Sequence, residues 1–183
     1  MARALSTRRV FLIGFMGAGK SSVGRALASR LGRQFCDLDQ LIEKREGRTV
    51  AEIFAEREEA GFRAAETQAL EELLQDPAGK GDLVIALGGG TFAQAQNRRA
   101  LEEAEAITVL LEAPLDELRK RCTADETVRP LAADQERFAR LYEERLAAYQ
   151  MATHKVNTMG KTVEKVAEEI VGIFTSVAPE SRR

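Results

Sequence analysis

Five short apolar runs divide the chain, and stretches with apolar residues at helical spacing lie between them. A short apolar run bounded by turn residues is typical of a strand buried on both faces, whereas apolar residues three and four apart are typical of an amphipathic helix. Strands that alternate with helices favour a parallel sheet with right-handed crossovers. We therefore predict an α/β fold in three layers, α/β/α, around a five-stranded parallel sheet. The predicted strands cover residues 10–14, 34–39, 83–87, 107–111 and 154–157.

The helices are predicted from the same spacing and from the signals at their ends. Gly32 and Gly47 each follow a helical stretch, where glycine commonly ends a helix. Thr49 and Glu52 have the spacing of a capping box, and Pro114 suits the first turn of a further helix. Besides the short helices that begin near Thr49 and Pro114, the predicted helices cover residues 20–31, 39–46, 60–74, 94–105, 135–153 and 163–174.

The long segment between the second and third strands is the least usual part of this pattern. Residues 40–76 hold three helical pieces, which is more structure than a crossover needs, so we expect a helical subdomain that covers the site. Residues 123–134 are charged and include Arg129-Pro130, which predicts a mobile lid. No repeat or linker interrupts the 183 residues. We expect residues 1–183 to form a single domain.

A glycine-rich loop at residues 14–21 follows the first strand and precedes the first helix. It matches G-x-x-x-x-G-K-[ST], the phosphate-binding loop of nucleotide enzymes. Glycines let successive N–H groups turn toward an anion, and the helix N-terminus adds the positive end of its dipole. Lys20 adds charge for the outer phosphates, and the Ser21 hydroxyl is placed to ligate Mg²⁺. The predicted ATP contacts in this loop are Gly17, Ala18, Gly19, Lys20, Ser21 and Ser22.

Two acids fall at the end of the second predicted strand, and three glycines follow the third. Asp37 and Asp39 stand where the carboxyl ends of parallel strands line a ligand crevice. Two residues apart in an extended segment, they are expected to share a face, and a solvated pair or a helix cap is the alternative. Gly88, Gly89 and Gly90 lack side chains that would keep a ligand from the backbone. The alternative for these glycines is a flexible loop.

Composition restricts the classes of partner. The chain has 27 basic and 29 acidic residues and a net charge of −2, which gives no general attraction to nucleic acid or to a membrane surface. Cys36 and Cys122 lack the spacing of a metal site or disulfide framework and suit a reducing compartment. The apolar run that follows Arg9 is too short for a signal peptide. We expect a cytoplasmic protein with small-molecule partners, and a monomer as the simplest state.

Three observations distinguish between the classes of protein that share this phosphate-binding loop. The third strand ends in glycines rather than in the metal-orienting Asp of many ATPases, and Asp37 is the expected replacement. The sequence contains no Asn-Lys-x-Asp segment that would select guanine. The length leaves no room for a second, mechanical domain. A small-molecule kinase is therefore favoured; another kinase of this type, such as one acting on gluconate, and a nucleotide switch without phosphotransfer are the alternatives.

An ordered set of motifs extends over residues 10–174. In chain order they are Gly14-Phe15-Met16-Gly17-Ala18-Gly19-Lys20-Ser21, Asp37-Leu38-Asp39, Ile53-Phe54 with Glu59-Ala60-Gly61-Phe62-Arg63 and Glu66, Gly88-Gly89-Gly90, Arg129-Pro130-Leu131, and Arg145 with Tyr149. Together they resemble the shikimate kinase family. The resemblance implies transfer of the γ-phosphate of ATP to the 3-hydroxyl of shikimate, in aromatic amino acid biosynthesis. It also implies a P-loop, nucleoside monophosphate kinase-like fold with the sheet order 2-3-1-4-5.

The resemblance assigns the substrate contacts. Arg63 and Arg145 are expected to hold the carboxylate of shikimate through planar, charge-assisted hydrogen bonds. The backbone N–H groups of residues 88–90 are expected to meet the substrate. Phe54 and Phe62 are expected to form an apolar wall, and their alternative is simple core packing.

The resemblance also assigns the catalytic residues. Asp39 is expected to accept a hydrogen bond from the attacking hydroxyl, either as general base or mainly as a positioning group. Lys20 and Arg129 are expected to neutralise charge on the transferring phosphoryl group, with Arg129 also contacting ATP. Mg²⁺ is expected at Ser21 and, through water, at Asp37.

The sequence leaves two structural details open, the helix break at Glu58 and the surroundings of Arg121. The family often has a glycine just before the glutamate that corresponds to Glu59, and this chain has Glu58 there, so we expect a softer helix break. Arg121 precedes the predicted lid and is expected either to stack on adenine or to be a solvated helix residue.

Overall fold

The structure is a computed structural model that describes residues 9–76, 83–124 and 134–176. The strands in these ranges are β1 (Val10–Ile13), β2 (Gln34–Asp37), β3 (Leu83–Ala86), β4 (Ile107–Glu112) and β5 (His154–Asn157). The helices in the same ranges are α1 (Lys20–Leu31), α2 (Leu38–Glu46), α3 (Val50–Gln75), α4 (Ala95–Glu103), α5 (Leu115–Ala124), α6 (Gln135–Tyr149) and α7 (Val163–Ser176), with a short 3₁₀ helix at Thr91–Ala93.

The strands form one parallel sheet in the order β2-β3-β1-β4-β5. In the central strand, Val10 lies opposite Val84 on one side and Ile107 on the other. All four residues of β1 are buried, because a central parallel strand covered by helices has no face toward water. The predicted α/β class and the five parallel strands are confirmed, as is the sheet order that the resemblance implies.

Two helices end at the glycines that the sequence signals. Gly32 ends α1 with φ at 64° and Gly47 ends α2 with φ at 65°, a left-handed conformation that glycine adopts without strain. Helix α1 packs against α7, which buries Val166 and Ile170 of α7 in the core. None of the helices in the described part of the chain is long and apolar enough to cross a bilayer.

Two predicted boundaries are wrong. Strand β2 ends at Asp37, because the Asp37 carboxylate caps α2 by accepting a hydrogen bond from the Asp39 N–H at 3.1 Å. Asp37 and Asp39 therefore do not share the face of a strand, and Asp39 lies in the first turn of α2. Helix α6 ends at Tyr149 rather than near residue 153, because the Thr153 hydroxyl instead donates to the Thr108 carbonyl of β4 at 2.7 Å.

The insertion between β2 and β3 consists of α2 and α3, which pack against each other. The capping box of Thr49 and Glu52 at the start of α3 is confirmed. The two predicted helical pieces that follow are one helix interrupted at Glu58, whose φ of 58° and ψ of −173° are not helical. This backbone region is essentially restricted to glycine, so Glu58 makes the break at a cost in strain.

Candidate active site

The phosphate loop turns on its glycines and presses against α5. Gly17 and Gly19 have φ of 78° and 87°, which residues with a Cβ rarely adopt. A Cβ on Gly17 would overlap the Leu118 carbonyl and would lie 2.9 Å from the Cys122 Sγ. Glycine at position 17 thus permits both the turn and the close contact with α5, and the turned backbone forms the concave shape of an anion site.

Lys20 and Ser21 begin α1 and carry the polar side chains of the loop. Lys20 Nζ donates to the carbonyl oxygens of Gly14 and Phe15 at 2.8 and 3.1 Å. Ser21 Oγ donates to Asp37 Oδ2 at 2.6 Å. Mg²⁺ prefers hard oxygen ligands such as those of Ser21 and Asp37, so this pair fits the predicted metal position.

The other predicted ATP contacts differ in their surroundings. The Ala18 N–H donates to the Phe15 carbonyl at 3.2 Å, within the loop itself. Ser22 lies in the first turn of α1 with its side chain exposed. Arg129 and most of the predicted lid at 123–134 lie outside the described residues, and their roles stay predictions.

Asp39 lies near both the phosphate loop and a second acid, Glu66. Burial raises the pKa of Asp39 to about 6; the negative charges of Glu66 and Asp37 act in the same direction, and Lys20 opposes them. Asp39 Oδ1 is buried and has no hydrogen-bond partner in the described part of the chain. A Cβ on Gly88 would lie 2.6 Å from this oxygen. A buried carboxylate oxygen without a partner is suited to accept a hydrogen bond from a bound molecule.

Arg63 is held on α3 by two glutamates. Its Nη1 donates to Glu66 Oε2 at 2.6 Å, and its Nη2 donates to Glu59 Oε1 at 2.9 Å. Glu66 is 1% exposed, and its Oε1 accepts a hydrogen bond from the Thr91 hydroxyl at 2.6 Å. These partners compensate the burial of the Glu66 carboxylate, which in turn directs the guanidinium. The guanidinium lies so close to Gly90 that a Cβ there would overlap it.

Arg145 approaches the same turn from α6. Its Cζ lies 5.9 Å from the centre of the Phe15 ring, and its Nη1 lies 3.2 Å from where a Cβ on Gly89 would stand. One helical turn later, the Tyr149 hydroxyl donates to the Gly89 carbonyl. Burial raises the pKa of Tyr149 to about 12, although the positive charge of nearby Arg145 opposes this rise. The Tyr149 hydroxyl therefore keeps its proton at neutral pH.

The three glycines at 88–90 bring these charged groups together. In chain order, the three glycines face Asp39, Arg145 and Arg63. A Cβ added to each glycine would lie within contact distance of the residue that it faces. None of the three described glycines has a positive φ, so their missing side chains, rather than their backbone freedom, explain the sequence. The Thr91 N–H donates to the Gly88 carbonyl at 3.1 Å, which joins the turn to the 3₁₀ helix.

Phe54 and Phe62 pack against each other with ring centroids 4.5 Å apart. Phe62 is 4% exposed and belongs to the main hydrophobic cluster, and Phe54 packs against that cluster. This packing favours the core interpretation of both residues. Their second role, as the wall of a substrate pocket, stays a prediction.

Arg121 is anchored rather than free in solvent. Its Nη1 and Nη2 donate to the hydroxyl and the carbonyl of Thr158 at 3.0 and 3.2 Å, and its Nε donates to Glu117 at 2.9 Å. These bonds tie α5 to the loop that follows β5.

The structure brings together Lys20, Ser21, Asp37, Asp39, Arg63, Arg145 and the glycines at 88–90. Glu66, Thr91 and Tyr149 also contact these residues and were not among the predicted site residues. Two of them had a local signal, because Glu66 stands three residues after Arg63 and Tyr149 stands four residues after Arg145, on one helix face each. Thr91 had no such signal, since its partner Glu66 is 25 residues away in the chain.

The family model described as shikimate kinase matches residues 16–174. The chain belongs to the shikimate kinase family. The shikimate kinase of Geobacter metallireducens is 44% identical over 170 residues, covering 91% of this chain and 92% of that protein. The shikimate kinase of Persephonella marina is 37% identical over 165 residues, covering 90% of this chain and 98% of the relative.

Solved structures agree with this family assignment. Shikimate kinase from Acinetobacter baumannii in complex with shikimate has a TM-score of 0.86 at 34% identity, covering 98% of this chain and 100% of that one. A gluconokinase from Sinorhizobium meliloti has a TM-score of 0.59 at 18% identity, covering 94% of each chain, a likeness that shows the fold alone. Membership of the shikimate kinase family confirms the small-molecule kinase class over the gluconate and nucleotide-switch alternatives.

Proposed function

We propose that this member of the shikimate kinase family transfers the γ-phosphate of ATP to the 3-hydroxyl of shikimate, giving shikimate 3-phosphate and ADP, through the residues described above. The observation that carries the proposal is the turn at residues 88–90, which adjoins the Asp39 carboxylate and the guanidinium groups of Arg145 and Arg63. Two cations and a buried acceptor oxygen along one turn suit a small molecule that carries both a carboxylate and a hydroxyl.

The arginines select the acceptor by its charge. A planar guanidinium binds a carboxylate through two parallel hydrogen bonds, which determine orientation as well as affinity. Arg63 is preorganised by Glu59 and Glu66, so little rotamer entropy is lost on binding. The substrate carboxylate would then bind an arginine whose position is already set by its bonds to Glu59 and Glu66.

The phosphate loop would hold the donor. Its backbone N–H groups and the N-terminus of α1 suit the phosphates, and Lys20 can exchange its bonds to loop carbonyls for bonds to phosphate oxygens. Ser21 and Asp37 would hold Mg²⁺, Asp37 through water, and the metal would neutralise charge on the phosphates when bound.

Asp39 would receive the acceptor hydroxyl. With a pKa of about 6, its carboxylate is largely ionised at neutral pH and can accept the hydroxyl proton. A loose phosphoryl-transfer transition state needs little proton removal early, so orientation of the hydroxyl by Asp39 Oδ1 contributes alongside base catalysis. Arg129 would add positive charge when the lid closes, and closure would exclude water as a competing acceptor.

The even charge balance supports the further proposal that the partners are small molecules rather than nucleic acid or a membrane surface. We place the protein in the cytoplasm and expect a monomer. Light scattering of the purified chain tests this state, and a mass of two or more chains at micromolar concentration would contradict it.

A coupled ADP-release assay tests the reaction. Shikimate with Mg-ATP should stimulate ADP formation, whereas gluconate should not, and EDTA should abolish the stimulation. Proton–phosphorus correlation NMR of the product should place the phosphate on the 3-oxygen. Stimulation by gluconate instead would identify the alternative kinase, and nucleotide binding without turnover on any polyol acid would indicate a switch.

A further inference from the structure

The hydroxyl of Tyr149 connects two groups that face the acceptor site from different elements. Tyr149 is 2% exposed and lies at the end of α6. Its hydroxyl donates to the carbonyl of Gly89, 60 residues earlier in the chain. Arg145 Nη1 and the Tyr149 hydroxyl lie 3.2 and 3.9 Å from the same point, where a Cβ on Gly89 would stand. The polar tip of Tyr149 thus lies beside two groups of the proposed acceptor site, the Gly89 backbone and the Arg145 guanidinium.

The chemistry of the three groups leaves one arrangement of protons. A guanidinium can only donate and a carbonyl can only accept, whereas a phenol can do both. The Tyr149 hydroxyl therefore uses its single proton on the Gly89 carbonyl, which leaves its oxygen able to accept a hydrogen bond from Arg145. Because burial keeps the pKa of Tyr149 near 12, this arrangement persists across the physiological range of pH.

Arg145 needs such a constraint. An arginine side chain has many rotamers, and that conformational freedom is lost when it binds a carboxylate. The Phe15 ring and the Gly89 backbone lie close to the guanidinium, but neither limits the rotation of its planar fork as a hydrogen bond does. The Tyr149 oxygen is placed beside Gly89 to accept from one N–H group of Arg145, which would leave the remaining N–H groups for a ligand.

We propose that Tyr149 is a positioning residue, whose hydroxyl holds Arg145 and the Gly89 turn in the geometry that receives the substrate carboxylate. The inference rests on the proposed function, since it takes Arg145 as a carboxylate ligand. It predicts that loss of the hydroxyl weakens shikimate binding and leaves the nucleotide half of the site largely unchanged.

The chain offers a matched control, because Tyr142 is its only other tyrosine. Tyr142 also lies on α6, two turns earlier, with its ring 5.3 Å from the Phe15 ring in an edge-on contact. The Tyr142→Phe and Tyr149→Phe substitutions thus each remove one hydroxyl from an aromatic ring beside the phosphate loop. They differ in that the Tyr149 hydroxyl bonds the glycine turn.

Steady-state kinetics separate positioning from general stability. Tyr149→Phe should raise KM for shikimate about five- to tenfold, as loss of one hydrogen bond predicts, with kcat and KM for ATP within about twofold of wild type. Tyr142→Phe should leave all three parameters within about twofold. An unchanged KM for shikimate, or an equal rise in both KM values, would overturn the inference.

A double-mutant cycle tests whether Tyr149 acts through Arg145. In an Arg145→Ala background, Tyr149→Phe should add less than about twofold to the KM for shikimate, because the group that it positions is gone. A full, multiplicative effect in that background would contradict the proposed route. If wild-type protein shows no turnover with shikimate, the proposed function is wrong. This result differs from a failure of the Tyr149 inference, in which wild type turns over shikimate but Tyr149→Phe does not change its KM.

Fluorine NMR keeps the inference testable even if Tyr149→Phe does not fold. Incorporation of 3-fluorotyrosine into the full chain should give two resonances, which Tyr142→Phe assigns. Saturation with shikimate should shift the Tyr149 resonance more than saturation with Mg-ADP does. A Tyr149 resonance that is unmoved by bound shikimate would contradict the role.

Discussion

The donor half and the acceptor half of the site are held together by contacts of very different range. In the phosphate loop, Lys20 bonds carbonyls five and six residues away. In the acceptor half, Thr91 bonds Glu66 across 25 residues and Tyr149 bonds Gly89 across 60. The phosphate loop itself is one continuous segment, joined to Asp37 across 16 residues, whereas the acceptor half is assembled from α2, α3, the glycine turn and α6.

This contrast has a functional consequence. A loop built from its own backbone can keep its shape when distant side chains change, so nucleotide binding should survive damage to the acceptor half. The acceptor half depends on several elements meeting, so single changes there should act selectively on shikimate. The following experiments test this separation.

Asp39→Asn should have the largest effect. Loss of the carboxylate that accepts the hydroxyl proton should lower kcat by about 10²- to 10⁴-fold, while the Kd for ATP stays within about threefold. Single-turnover kinetics and calorimetric ATP titration measure the two quantities. Glu46→Gln, also on α2, is the control and should retain activity. A near-normal kcat for Asp39→Asn would remove Asp39 from the reaction.

Arg145→Ala should come next in size. Loss of a charge-assisted contact to the carboxylate should raise the KM for shikimate by roughly 30- to 300-fold, with the KM for ATP changed less than about threefold. Arg140→Ala removes an exposed arginine from the same helix and should leave both values unchanged. Equal losses toward both substrates would show that the two halves are not separable at Arg145.

The pKa of Asp39 predicts a pH-dependent stability. Because the folded-state pKa of about 6 lies above the ordinary aspartate pKa of 3.8, the folded protein binds this proton more tightly than the unfolded chain. The stabilisation is complete below about pH 4 and is lost as pH rises through 6.

Asn cannot ionise, so Asp39→Asn should gain about 2 kcal/mol of unfolding free energy over wild type between pH 4 and pH 8. Urea unfolding of the ligand-free proteins at both pH values measures the difference. A gap between the two proteins that does not change with pH would show that burial of Asp39 does not perturb its ionisation.

Glu58→Gly should have the smallest effect, a gain in stability. Relief of a backbone conformation reserved for glycine is worth about 1–3 kcal/mol, and the added freedom of glycine in the unfolded chain costs about 0.5–1 kcal/mol. We expect a net gain of about 1 kcal/mol in urea unfolding.

Glu105→Gly is the matched control, because Glu105 also has a positive φ, at 50°, near the end of α4. It should gain less than Glu58→Gly. Equal gains would mean that the break in α3 carries no special strain.

Much of the fold could be predicted from residue pattern alone. The apolar runs located the five strands, and Gly32 and Gly47 ended their helices as expected, because burial on both faces and the left-handed cap are local requirements. The error at Asp39 was also local: the Asp37 carboxylate caps a helix, and a cap competes with strand extension at the same residues.

The amino-acid order alone specified the phosphate loop and the candidate charges, since backbone turns, glycine φ angles and helix caps depend on neighbouring residues. The partnership of Arg63 with a buried Glu66 and Thr91, the raised pKa of Asp39, and the bridge from Tyr149 to Gly89 required the folded chain. These features depend on desolvation and on hydrogen bonds between elements far apart in sequence. Both arise where the parallel sheet brings the ends of its strands to a common edge and the helices pack over them.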